Sequence, residues 1–420
     1  HPEAKNASVK YYKGLGTSTN KDAKQYFTEW DKNVIAITNN GQPSKDAVKL
    51  AFDAKMSAER REYLANRYNP DASIDYSASS TTIERFIYDD LMHFSNSDNL
   101  RSIPKMLDGQ KAGQRKVVFY ALNHVGKTEA KVAQMAGTAA QVTQYHHGEV
   151  SLANTIIGMA ATYTGSHNLP LLYPSGQFGS RHARNSAAAP RYIFTHISSF
   201  LPRLIKSDDN DVLTYNVDEN KKVEPTVYIP VIPIVLVNGA NGIGTGWKCD
   251  VPQYNPLEVI DACKRMASGG ELSTAKWVPW YVGYNGKMEE TTDGFNSIGT
   301  YEVNGNAITI NELPIGKATE DWIESIQDLI PDTIRNYEKN LGPDSVTIKL
   351  NLVAPIADPV STLKLSIKIP TNRMWMYNAK NKITHYSGPN QVIQEHARER
   401  LKLYEASRIS QIEKASNRMD

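Results

Sequence analysis

Tyr228-Ile229-Pro230-Val231-Ile232-Pro233-Ile234-Val235-Leu236-Val237 runs straight into Asn238-Gly239-Ala240-Asn241-Gly242-Ile243-Gly244-Thr245-Gly246-Trp247. The first ten residues are apolar, rich in Val and Ile, and too short to cross a membrane; they read as buried extended chain. A glycine-rich loop after an apolar strand is one way to build a dinucleotide site. The glycines here do not follow Gly-x-Gly-x-x-Gly, and no long helical pattern directly follows. A tight multi-turn junction is the better reading, and it leaves one branched apolar side chain, Ile243, on the loop. Such a residue can wedge between base pairs.

Upstream, Ala188-Ala189-Pro190-Arg191-Tyr192-Ile193-Phe194-Thr195 sets a phenol beside a guanidinium. Tyrosine is a weak nucleophile at its free pKa, so it needs a cation or a metal to act on phosphorus. The chain has 22 tyrosines, and a ring packed at the surface is the ordinary alternative.

A length of 420 residues allows two to four domains, and 40% hydrophobic with 22% charged is an ordinary globular balance. The net charge of +2 conceals a local excess: Arg101, Lys105, Lys111, Arg115 and Lys116 stand against Asp108 alone. Gly109 and Gly113 lie within this run, and an apolar helical pattern follows it. Free N–H groups and cations at a helix start suit a phosphate, although a solvated basic face also accounts for the run. In Tyr145-His146-His147-Gly148-Glu149 the adjacent histidines point to different faces, so a hydrogen bond to phosphate or backbone fits better than zinc. Cys249 and Cys263 fit neither a zinc site nor a disulfide framework, which points to a reducing compartment.

Along the chain, residues 9–40 read as strand, glycine turn, helix (18–30) and short strand, and 46–69 as one charged helix before a polar linker. Residues 82–94 form a further helix, and 100–225 alternate short helices and strands around the basic run. Strand signals dominate 238–370, with a helix at 319–329. The polar helical run 391–420 needs a partner for its sparse apolar stripe. With no initiating Met and no final cap, the sequence is expected to be part of a longer chain.

Taken in order, the strings 11–19 (YYKGLGTST), 94–99 (FSNSDN), 101–104 (RSIP), 113–116 (GQRK), 131–134 (KVAQ), 145–149 (YHHGE), 177–181 (QFGSR), 190–193 (PRYI) and 238–247 closely resemble the breakage-reunion core of eukaryotic-type type IIA DNA topoisomerases. The resemblance implies an α+β multidomain fold. Residues 1–40 would be the tail of a TOPRIM domain, 41–80 a helix and linker, 81–235 a winged-helix cleavage domain, 236–370 a tower, and 371–420 the start of a coiled coil. It implies a 5′-phosphotyrosyl bond on Tyr192, with Arg191 and His147 as catalytic partners. Lys13, Arg101, Lys111, Arg115, Lys116 and Arg181 would meet DNA, and Ile243 would intercalate. Double-stranded DNA and a second copy of the chain are the implied partners, with no membrane. Magnesium would be held by TOPRIM acids outside this sequence, and ATP by a separate N-terminal domain. The implied location is the nucleus in a cellular eukaryote, or host cytoplasm, nucleus or virion for a virus. The alternatives are a non-catalytic DNA-bending protein or a bacterial-type gyrase A subunit. The sequence departs from the family at 181–186, where His182 and Arg184 replace a more glycine-rich loop.

Overall fold

The computed structural model describes residues 18–218 and 220–417. Helices and strands are mixed in an α+β arrangement, and the chain divides into two compact units at Asp98/Asn99. The boundaries expected at residues 40 and 80 therefore fall inside the first unit. Lys13, the glycine loop around it and the strand expected near residue 9 lie outside the described residues.

In the first unit, Thr19 and Asp22 cap the helix Asn20–Thr28 reciprocally: Asp22 N–H reaches Thr19 Oγ1 at 3.3 Å, and Thr19 N–H reaches Asp22 Oδ2 at 2.8 Å. The single helix expected over 46–69 is two, Gln42–Phe52 and Ser57–Asn66. Asp53 breaks it with an extended backbone (ψ 124°), accepting the Lys55 N–H at its own carboxylate. This is the local competition that aspartate offers helical hydrogen bonding. Strands Ala36–Thr38 and Ser80–Thr82 pair in parallel.

The second unit begins with three helices, Ala112–Tyr120, Val132–Val142 and Glu149–Ala160, against a small antiparallel sheet. In that sheet Phe194–Ile197 lies between Ala130–Lys131 and Leu172–Ser175. Farther along, a three-stranded sheet (Lys287–Thr291, Gly294–Ile298, Ser366–Pro370) is followed by a four-stranded one. The latter orders Tyr301–Asn304, Ala307–Ile310, Val346–Leu352 and Ile334–Leu341, and its inner face packs on Trp322 of the helix Thr319–Ser325. Buried Trp322 donates its indole N–H to Leu363 O at 2.8 Å, so its polar end is satisfied. The helix Pro389–Ser416 closes the chain; Arg400, on its buried face, bonds Asp209 and the Ile229 carbonyl.

Two further expectations differ from the fold. Part of the apolar run expected as extended chain is the short helix Ile234–Asn238, with Ile234, Val235, Leu236 and Val237 all buried. A segment buried on every side has no polar face to reveal its period. The helix Pro256–Ala267 lies where strand signals dominate, although its own signals are present: Asn255 caps Leu257 N–H, Pro256 holds the first turn, and Lys264 and Arg265 end it.

The basic run 101–116 folds around a buried carboxylate. Asp108 is 0% exposed and accepts four bonds: Arg115 Nε (2.7 Å), Arg115 Nη2 (3.0 Å), Gln110 N–H (3.0 Å) and Tyr228 N–H (3.0 Å). Next to it Gly109 takes φ +66°, and a Cβ there would stand 2.9 Å from the Val235 backbone. Arg115 in turn reaches Gln110 O at 2.8 Å, so loop, helix start and the 228–238 segment share one polar knot.

Removing the carboxylate should strand a buried guanidinium. Asp108→Ala is expected to cost about 3–5 kcal/mol of unfolding free energy in chemical denaturation, far more than truncation of an exposed acid in the same unit. A loss below about 1 kcal/mol would show that the knot does not carry the fold.

Candidate nucleic-acid interface

Tyr192 stands 66% exposed between two anchors. Ile193 is buried, and its carbonyl accepts the Val132 N–H at 3.0 Å. The Pro190 carbonyl accepts the Ala133 N–H at 3.1 Å. The first turn of the helix Val132–Val142 thus spends its unpaired donors on the backbone either side of Tyr192. A turn closed by Tyr192 N–H to Ala189 O (2.9 Å) presents the ring, with the Arg191 guanidinium 4.8 Å from the ring centroid. Gly176 (φ +114°) lets Ile193 seat; a Cβ there would meet Ile193 Cγ2 at 2.8 Å. The result is an exposed phenol on a pinned backbone beside a cation.

A cleft of about 930 Å³ opens in the same unit, with Arg101, Lys111, Lys116 and His147 on its walls. Lys111 is half-buried, and burial pushes its amine below the usual lysine range. An anion beside it would offset that desolvation, because it favours the charged form. His147 meets the Tyr145 ring edge-on at 5.3 Å, while His146 turns away to Asp218 at 3.1 Å. The two histidines therefore have separate partners. Among the described residues no group of three or more His, Cys, Asp or Glu side chains could hold a metal ion. Arg191, Tyr192, Arg181 and Ile243 do not line this cleft.

Three expected DNA contacts are committed to the interior. Arg115, 4% exposed, is the bidentate partner of Asp108. The Lys116 amine, though at the cleft wall, bonds Glu224 at 2.9 Å and Thr143 O at 2.6 Å. Arg181 pairs with buried Glu312 and donates to Asp344 O at 3.1 Å. A cation already neutralised by a buried carboxylate would have to abandon it to reach a phosphate, leaving the acid unpaired. Their further bonds, to Gln110 O, Thr143 O and Asp344 O, tie them to neighbouring loops.

Ile243 is 74% exposed at the tip of a β-hairpin, Ala240–Ile243 with Lys248–Val251. The glycines there serve close packing. A Cβ on Gly242 would lie 2.2 Å from Ser102 O, and one on Gly244 2.2 Å from Asn99 Oδ1. Asn99 Nδ2 also donates to Thr245 O at 3.2 Å. The hairpin therefore rests on Asn99 and on Ser102, next to Arg101. Nothing local in the sequence gives Asn99 a role; only the fold brings it against a residue 146 positions later. Asn168 is equally silent in the sequence. Its amide nitrogen lies within 3.2 Å of the Val237, Tyr254 and Trp280 carbonyls, and its oxygen accepts Val282 N–H at 2.8 Å.

The family model for the A-subunit of DNA gyrase/topoisomerase IV matches residues 101–420, and one described as the C-terminal associated domain of TOPRIM matches residues 1–99. DNA topoisomerase 2 of Arabidopsis thaliana is 38% identical over 415 residues, which cover 94% of this chain and 28% of that protein. Human DNA topoisomerase 2-alpha is 42% identical over 339 residues, covering 77% and 22%. The Plasmodium falciparum topoisomerase II DNA-binding, cleavage and re-ligation domain aligns with a TM-score of 0.81 and 35% identity, over 98% of this chain and 58% of that one. The chain spans roughly a quarter of the length of the curated relatives it matches.

Gly242→Ala should push the hairpin off Ser102 and cost about 1–3 kcal/mol, because the clash is with backbone and not with a flexible side chain. Hydrogen exchange at residues 240–251 should accelerate while exchange in the sheet around Trp322 stays unchanged. Unaltered hairpin protection would refute the close-packing role.

Proposed function

The chain belongs to the eukaryotic-type type IIA DNA topoisomerases, and from that premise we propose that it supplies the DNA-cleaving and religating centre of an ATP-dependent duplex-passing enzyme. The observation that carries this is Tyr192, exposed on a backbone pinned at Pro190 and Ile193 with Arg191 at its ring. The Tyr192 oxygen attacks a backbone phosphorus, forming a tyrosyl–phosphate ester as the bond to the 3′ oxygen breaks. The phenol's proton passes out and the 3′ hydroxyl leaves protonated. One phosphoester replaces another, so reversal needs no external energy. Arg191 counters charge on the five-coordinate phosphorus, and His147, at the cleft wall, holds a backbone oxygen; such preorganised donors are worth several kcal/mol.

DNA lies, in this reading, along Arg101, Lys111 and His147, and Ile243 enters the base stack. Unstacking costs a few kcal/mol per step, offset by the protein surface that a bent duplex can touch. The three helices and small sheet around Tyr192 are read as a winged-helix domain, residues 236–370 as the tower, and the last helix as the start of a coiled coil. Two copies related by a twofold axis would each cut one strand. Magnesium and ATP dependence accompany the family. In this reading the chain contributes the nucleophile Tyr192, the cations Arg191, Arg101 and Lys111, and the wedge Ile243. The relatives' eukaryotic origin supports a nuclear location, and no described helix is long and apolar enough to cross a membrane.

In the full-length protein Tyr192→Phe should bind duplex DNA with unchanged affinity yet yield no protein-linked 5′ ends after denaturant trapping. Persistence of such ends would overturn the assignment. Lys111→Gln should weaken DNA binding irrespective of sequence and reduce the slope of log K against log salt by about 1, as loss of one phosphate contact requires. An unchanged slope would take Lys111 off the DNA path.

A further inference from the structure

The Tyr192 loop and the Ile243 hairpin sit on separate elements, and a chain of hydrogen bonds joins them. Beyond the hairpin, Gln253 O accepts the Trp280 N–H at 2.8 Å. The segment after Trp280 is tied at Val282 to Asn168 and, through the Asn285 N–H, to Glu312 Oε2 at 3.1 Å. The other oxygen of Glu312 holds the Arg181 guanidinium and accepts Leu313 N–H at 2.9 Å. Arg181 opens the loop that ends at Tyr192.

Next to it, His182 bridges two other elements. Its Nε2 lies 2.8 Å from Gly342 O, a pure acceptor, so Nε2 donates there, and Nδ1 lies 2.9 Å from Thr319 Oγ1. The Arg181 and His182 carbonyls take the N–H groups of Thr319 (3.3 Å) and Glu320 (3.0 Å). Side chains and backbone together fasten residues 181–182 to the four-stranded sheet and the helix Thr319–Ser325. Between this fastening and Tyr192 the loop is held on itself, with Ala188 N–H on Gln177 O at 2.9 Å and Ser186 N–H on Ala183 O at 3.2 Å. A Cβ on Gly179 would meet Arg184 O at 2.6 Å, so the loop has little slack.

We propose that Arg181 and His182 are positioning residues that transmit the seating of the Ile243 hairpin in bent DNA to the Tyr192 loop, so that the phenol is aligned for attack only when the wedge is inserted. This rests on the cleavage reading above. Arg181, paired to a buried acid, is the stiff member. His182 is the separable one, because its partners are a hydroxyl and a carbonyl, and cutting the bridge leaves no buried carboxylate unpaired. A thermodynamic cycle between the two sites reads the coupling.

The test uses the full-length protein and a short duplex labelled at both ends. Bending is read by energy transfer between the labels, and cleavage by trapped covalent complex. His182→Leu should leave the bend intact and lower the covalent complex about tenfold. Ile243→Ala should lower both. Added to His182→Leu, Ile243→Ala should bring little further loss of complex, since a loop no longer anchored at Thr319 and Gly342 does not carry a displacement of Arg181 on to Tyr192. Thr319→Val, which removes one bond of the bridge, should act in the same direction more weakly. His182→Gln, whose amide can still donate to Gly342 O, should restore part of the cleavage.

If His182→Leu lowers the melting temperature enough to impair folding, Thr319→Val combined with Ile243→Ala forms the cycle. Multiplicative losses in the double variant, or a bend lost together with cleavage in His182→Leu, would overturn the coupling and leave His182 a structural residue. Absence of covalent complex in the unmutated protein would instead overturn the cleavage reading itself.

Discussion

The buried pair of Asp108 and Arg115 is the constraint on which the second unit turns. Four donors on one carboxylate, with no solvent exposure, satisfy a charge that would otherwise be costly to bury. By binding Gln110 and Tyr228 as well as Arg115, Asp108 fixes where the helix Ala112–Tyr120 begins relative to the 228–238 segment. The cleft wall inherits its geometry from that choice. Lys111 is the residue just before the helix, with its N–H on Gln114 Oε1 at 2.9 Å, and the segment that leads into the Ile243 hairpin lies against Gly109.

Cations in this protein have two different fates. Arg115, Lys116 and Arg181 each meet an acid that is itself buried, and the desolvation already incurred makes release to a phosphate unfavourable. Lys111 is half-buried with no acid among its hydrogen-bond partners, and its amine is pushed down chiefly by burial. An anion beside it would offset that desolvation, as it would for Lys105, which burial lowers to about 8. The same basic run thus holds both cations bound to buried acids and a half-buried lysine at the cleft wall.

Close packing without side chains explains the glycines that looked like a nucleotide loop. Gly242 and Gly244 bring a hairpin backbone within contact of Ser102 and Asn99, and that contact keeps Ile243 at the tip, away from the core. Gly176 performs the corresponding service for the tyrosine loop by admitting Ile193. In both places a buried or packed neighbour holds the backbone while one large side chain stays exposed.

Many strand and helix periods and turn residues were legible in the sequence, and the ordered strings sufficed for the family and, coarsely, for the α+β fold. Local chemistry determines those features, since each depends on residues within a turn or two. What could not be read was which charges would be neutralised, which asparagines would bridge, and that residues 234–238 coil into a helix. Asp108 is paired with Arg115 only seven positions on, but Lys116 finds Glu224, Arg181 finds Glu312 and Asn99 finds Thr245 across 108, 131 and 146 positions. Such partners are chosen by packing of the whole unit. A cation written in the sequence is free or spent according to burial, and burial is decided only when the chain has closed.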